Sequence, residues 1–201
     1  MKKILYFDVE TTGLDPVAND IIQIGLIIEI GGREVERHDI KIQPFNYDNI
    51  ELSALETHNI TIDEMREYMD PKAAYRELVN ILSRHVNKYD RHDKYYPAGF
   101  NVKFDLDFLK QFFLKCGDKY GVGSFQNWRY IDPLPVLYML DCYGEISLPN
   151  YKLETVAEHF DIPIKAHDAL SDIEATIKLI KIVNNMITGD ICPRYRDDCD
   201  G

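Results

Sequence analysis

Asp8 and Glu10 stand two residues apart in the stretch Tyr6-Phe7-Asp8-Val9-Glu10-Thr11-Thr12-Gly13-Leu14. The apolar, aromatic and β-branched residues from Ile4 to Val9 predict a strand, and Gly13 stops it. Side chains alternate along a strand, so the two carboxylates share one face. On a strand bound for the core that arrangement is costly. The charges repel, and burying either one unpaired is strongly unfavourable or drives its pKa up. A divalent cation removes the cost, and hard ions such as Mg²⁺ and Mn²⁺ prefer carboxylate oxygen. A strand end with both acids in water is the plainer alternative, and this pair alone does not decide.

Two further segments carry groups that could join the pair. In Asn101-Val102-Lys103-Phe104-Asp105-Leu106-Asp107-Phe108-Leu109, Asp105 and Asp107 are two apart on an expected helix. They point to nearly opposite sides, so only one can face a given cleft, and periodicity does not choose between them. In His167-Asp168-Ala169-Leu170-Ser171-Asp172, His167 and Asp172 would sit about 140° apart on one continuous helix. They converge if Asp168 caps the helix and His167 lies in the loop before it.

The elements that must hold these groups follow from pattern. Asp20–Ile30 reads as a long buried strand, Gly31-Gly32 as a hairpin turn, and Arg33–Gln43 as the antiparallel partner. A short helix is expected over 51–57. Pro71–Val86 is an amphipathic helix with Pro71 in its first turn. Tyr95–Phe100 reads as a short strand, at an edge or an end because of Pro97. Asn101 is the expected cap of a helix from Val102 to Cys116, with Phe104, Phe108 and Phe112 on its apolar stripe. Trp128–Asp132 is a fifth short strand, and helices follow over 133–143, 150–160 and 168–187. The sum is an α/β domain with a mixed five-stranded sheet flanked by helices, parallel where a helix crosses between strands. The division expected is a domain over 1–188 and a polar tail over 189–201.

Composition narrows the function classes. The 201 residues suit one domain, 45% of them are hydrophobic, and no run approaches a membrane span. Asp8 breaks the first apolar run too early for a signal peptide, so a cytoplasmic protein is expected. Cys116, Cys142, Cys192 and Cys199 lack zinc-like spacing and read as free thiols. The net charge of −11 argues against binding nucleic acid through a broad basic surface. It does not argue against bridging a phosphate with metal ions held by acids.

The three segments, taken together and in this order, resemble the motifs of the DEDDh 3′–5′ exonucleases, the family of proofreading exonuclease subunits, RNase T and oligoribonuclease. The resemblance rests on Phe7 through Gly13, on Asn101 through Asp105 with Phe108-Leu109, and on His167 through Asp172 with Ala175-Thr176. Smaller echoes are His58-Asn59-Ile60-Thr61, Ile131-Asp132 and Tyr151-Lys152-Leu153. It implies an RNase H-like fold, with Asp8, Glu10, Asp105 and Asp172 as ligands of two Mg²⁺ or Mn²⁺ ions and His167 as the general base. It selects Asp105 over Asp107, because the family's acid follows the residue at Phe104. Asp168 stands where the tyrosine subclass would need Tyr, so the chain matches the histidine type. The implied activity releases nucleoside 5′-monophosphates from single-stranded 3′ ends, with DNA placed slightly ahead of RNA and a polymerase as a candidate partner. Thr11, Thr12, Leu14, His58 and Asn101 are the expected substrate contacts. Tyr95, Tyr96 and Trp128 read first as packing residues and second as stacking platforms for bases. The competing reading is a nuclease fold serving as a binding or scaffolding subunit with little turnover.

Overall fold

The computed structural model describes residues 1–58, 60–165 and 168–188. Its sheet runs β3-β2-β1-β4, from β1 (Lys3–Thr11), β2 (Ile21–Ile30), β3 (Arg33–Lys41) and β4 (Tyr96–Ala98). The first three strands form an antiparallel meander, and β4 adds in parallel on the other side of β1. The sheet is therefore mixed, as expected. Gly31 and Gly32 have φ of 60° and 82° between β2 and β3, a turn open to them because they lack a Cβ.

The helices are α1 (Leu52–His58), α2 (Ile62–Arg66), α3 (Pro71–Ser83), α4 (Val102–Lys115), α5 (Leu134–Cys142), α6 (Leu153–His159) and α7 (Ala169–Thr188). Alternation along β1 splits the core into two faces. Leu5, Phe7 and Val9 pack with residues of α3 and α4, including Leu78, Ile81, Phe108 and Phe112. Tyr6 points the other way and meets Ile27 and Ile173 of α7. Beyond it, α5, α6 and α7 bury Leu137, Val156, Ala175 and Leu179 together. The result is a three-layer α/β/α arrangement with β1 in its middle. Among the described residues no helix is long and apolar enough to cross a membrane. Cys116 and Cys142 are free thiols, and the other two cysteines lie outside the described residues.

Among the described residues the sheet has four strands, not five. Residues 128–132 reach β4 through one parallel bridge, Ala98 to Ile131. Ile131 N–H donates to Pro97 O at 2.8 Å, and Gly99 N–H donates to Ile131 O at 3.1 Å. Pairing stops there because the next residue turns to other work. The Asp132 carboxylate accepts from the N–H groups of Asn101 (3.2 Å), Val102 (3.1 Å) and Leu134 (3.0 Å). It thus caps the start of α4 and the start of α5 at once. Asn101 sits in the N-cap position of α4 with φ 54°, yet its side chain makes no capping bond. The expected Asn101 cap is replaced by an acid thirty-one residues away in sequence.

Asp132 carries one of the clearest stability predictions. Asp132→Ala leaves three backbone donors without their acceptor at the entry to two helices. The expected loss is roughly 1–3 kcal/mol, read as a lowered urea midpoint at unchanged m-value. An unchanged midpoint would show that water replaces the carboxylate at no cost.

Candidate active site

Three elements bring acids to one end of β1. Asp8 and Glu10 lie on the α7 face of that strand, and Asp172 lies in the first turn of α7. One carboxylate oxygen from each of these three falls within 4.8 Å of the other two. Asp105, in the first turn of α4, is buried and accepts from Val9 N–H at 3.0 Å. All four line a cavity of about 420 Å³. Asp107 points away and forms an ion pair with Lys103, one helical turn back. The helix geometry thus separates the two acids that periodicity left equal.

The approach of α7 depends on a missing side chain. Gly25 on β2 is opposite Asp8 in the antiparallel register. A Cβ on Gly25 would lie 2.9 Å from Ala169 Cβ and 3.1 Å from its carbonyl carbon. Only glycine lets the first turn of α7, with Asp172 on it, settle against the sheet. Asp168 O accepts from Asp172 N–H at 2.9 Å, and the Asp168 carboxylate accepts from Ser171 N–H at 3.2 Å. Asp168 therefore caps this helix as its position suggested.

The electrostatics follow from packing. Burial first, then the charges of Asp105, Glu10 and Asp172, push the Asp8 carboxyl well above the usual carboxylate range. Asp105 is likewise held high, mainly by burial, although the N–H of Val9 opposes the shift. Carboxylates that repel one another inside a cavity form an all-oxygen donor set. That set suits a hard divalent cation, and by its chemistry the cluster is compatible with such an ion.

Each expected contact has a definite place. Thr11 lines the cavity, buried, with its hydroxyl donating to Gly13 O at 2.7 Å. Leu14 stands exposed at the rim, and Asn101 lines the opposite wall. Thr12 is not brought to the cavity. It is 0% exposed, and its hydroxyl accepts from Asp20 N–H at 2.9 Å, so it shapes the turn between β1 and β2. His58, the last residue of α1, places Nδ1 2.6 Å from Glu10 Oε2. Its side chain meets an acid of the cluster. His167 and Asn59 lie outside the described residues. Sequence reasoning missed the wall made by Glu51 and by Ser53 and Thr57 of α1, and missed Phe100, which also lines the cavity. The short helical run was visible, but nothing local says that it folds over β1. That placement comes from Glu51 N–H donating to Thr12 O at 2.8 Å.

Comparison with known proteins fits this geometry. The family profile described as exonuclease, of the RNase T type, matches residues 5–180. The chain belongs to this exonuclease family. The matched span contains all four clustered acids. Curated relatives of the chain include the PolC-type DNA polymerase III of Halalkalibacterium halodurans, 26% identical over 193 residues. That alignment covers 94% of this chain and 12% of the relative. The PolC-type DNA polymerase III of Bacillus subtilis is 28% identical over 175 residues, covering 87% and 11%. The chain thus spans about an eighth of the length of these relatives. Among solved structures, E. coli exonuclease I in complex with a dT13 oligonucleotide superposes with a TM-score of 0.76 at 22% identity, covering 94% of this chain and 43% of that one. That likeness carries the fold, which is RNase H-like.

Proposed function

We propose that this exonuclease is a metal-dependent 3′–5′ enzyme that releases nucleoside 5′-monophosphates from single-stranded DNA ends. The observation that carries the reading is the convergence of Asp8, Glu10 and Asp172 within 4.8 Å, with Asp105 on the same cavity wall. Support for DNA comes from the relatives, which are DNA polymerases, and from the similar exonuclease with bound oligonucleotide. A DNA polymerase is the corresponding candidate partner, residues 1–188 the working domain, and the cytoplasm the compartment.

Asp8, Glu10, Asp105 and Asp172 are the groups that would hold Mg²⁺ or Mn²⁺. Bound there, such ions polarise the phosphate and lower the pKa of water. The chain's own residues do the remaining work. Leu14 at the rim and Thr11 in the buried cavity wall orient the terminal nucleotide. His58 holds Glu10 in place from α1. His167 accepts the proton of the attacking water, a role assigned from the sequence resemblance. Water oxygen bonds to phosphorus as the bond to the 3′ oxygen breaks. The electron pair stays on that oxygen, which becomes the new 3′ end.

Digestion of matched single-stranded DNA, single-stranded RNA and mismatched duplex tests the reading. With Mg²⁺ or Mn²⁺, single-stranded DNA should shorten from its 3′ end to 5′-mononucleotides, and a 3′-blocked oligonucleotide should resist. Internal cuts, or no product from any substrate with either ion, would sink the proposal.

A further inference from the structure

A second, larger cavity of about 840 Å³ lies against the outer side of α4, lined by Lys103, Leu106, Lys110 and Leu114 of that helix. Its charge is opposite to that of the whole chain. The protein carries 34 acids against 23 Lys and Arg. This groove is lined by Arg91, Lys94, Lys103, Lys110 and Lys119 against one acid, Asp107. Lys94 is committed to the carbonyls of Lys88 and Ser124, and Lys103 to Asp107. Arg91 donates its Nε–H to His92 Nε2 at 2.9 Å, whereas Lys110 and Lys119 form no ion pair with any described residue.

Three aromatic rings accompany these charges. Tyr120 is 88% exposed, Trp128 82% and Tyr130 46%, and all three line the groove. Arg129 lies over the Trp128 ring, 5.1 Å from its centroid, and still leaves it open to solvent. Large rings held in water beside unpaired cations are what a single strand of nucleic acid uses: stacking for the bases and positive charge for the phosphates.

The groove and the acid site lie on either side of the first turns of α4. Asn101, Phe104 and Asp105 face the acidic cavity, while Lys103 and Leu106, within one turn of them on α4, face the groove. Asp132 ties the strip carrying Trp128 and Tyr130 to the start of the same helix. From Lys103 to Leu114 the groove follows α4 for about 16 Å. We propose that this groove binds single-stranded DNA, holding the strand upstream of the 3′ end while the terminal nucleotide occupies the acidic cavity. The assignment rests on the exonuclease reading above for its direction and on the groove's own chemistry for its ligand.

Trp128 is the sole tryptophan, so it reports on the groove directly. The protein in EDTA is titrated with an oligo(dT) of about twelve nucleotides while tryptophan fluorescence is followed. Saturable quenching is expected, weakening as salt rises. Lys110→Ala with Lys119→Ala should reduce the slope of log K against log salt by about 1.4. Tyr120→Ala should weaken binding about tenfold. In cleavage assays these variants should raise KM for the long oligonucleotide and leave a trinucleotide unaffected. Silent fluorescence, an unchanged salt slope, equal loss on long and short substrates, equal quenching by polyglutamate, or tighter binding of matched RNA would each overturn the assignment. The titration requires no cleavage. A chain that binds but does not cut ends the exonuclease reading and keeps the groove; one that cuts with Trp128 silent does the reverse.

Discussion

Asp105→Asn should reduce turnover on a single-stranded 3′-hydroxyl oligonucleotide by about 10³-fold or more, while Asp107→Asn stays near the wild-type rate. The two residues are two apart, equally acidic and on one helix, so charge alone would treat them alike. Asp105 is buried at the cavity wall, whereas Asp107 is tied to Lys103 on the other side. Asparagine is nearly isosteric and its amide oxygen can still accept from Val9 N–H, so the fold should survive. Circular dichroism and a denaturation curve check that point before rates are compared. Reversed rates for the two variants would mean that α4 presents its other side to the substrate.

Asp8→Asn should abolish turnover to a similar extent and yet make the metal-free protein more stable at neutral pH, by about 1–3 kcal/mol. The sign follows from protons. The Asp8 carboxyl in the folded state titrates well above its unfolded value. Between the two values the folded chain holds a proton that the unfolded chain has released, so stability falls as pH rises through that window. Asp105 acts in the same direction. Metal-free wild type should therefore lose stability from about pH 4 upward, and Asp8→Asn should lose less. Mn²⁺ or Mg²⁺ reverses the trend in the wild type, because a ligand that binds only the folded state stabilises it by about 2.7 kcal/mol at a hundred times its Kd. Urea unfolding in EDTA and with each ion, from pH 5 to 8, measures both effects. An equal metal response in Asp8→Asn would remove Asp8 from the ion site.

The two predictions differ in how far sequence could anticipate them. Asp8 and Glu10 were legible because a strand's period of two needs only neighbouring residues. The meander was legible for the same reason, with Gly31-Gly32 marking its turn. Asp105 over Asp107 was not settled by period, because a helix start must be fixed to within one residue to aim a side chain. The structure fixes it through Asp132, a contact between residues far apart in sequence. The same carboxylate explains why the expected fifth strand shrinks to one bridge. An acid directly before Pro133 was a readable helix-start signal, but its service to α4 was not readable. The five-residue α2 escaped notice as too short for periodicity, although Thr61 and Glu64 form a capping box that the sequence displays. His58 was read from the sequence as a nucleotide contact, and the structure sets it against Glu10. The basic groove escaped because its charges come from three separate segments inside an acidic chain.

The wide separation of Asp8 and Asp172 along the chain also bears on when the centre can exist. As the chain leaves the ribosome, β1 through α4 are available long before α7, and only α7 delivers Asp172 to the other acids. Contacts of such long range form late. A chain still lacking α7 therefore carries three of the four acids, and under the proposed function cleavage waits until the last helix has docked. The requirement for glycine opposite Asp8 tightens that interlock, since α7 must reach atomic contact with the sheet before the centre closes.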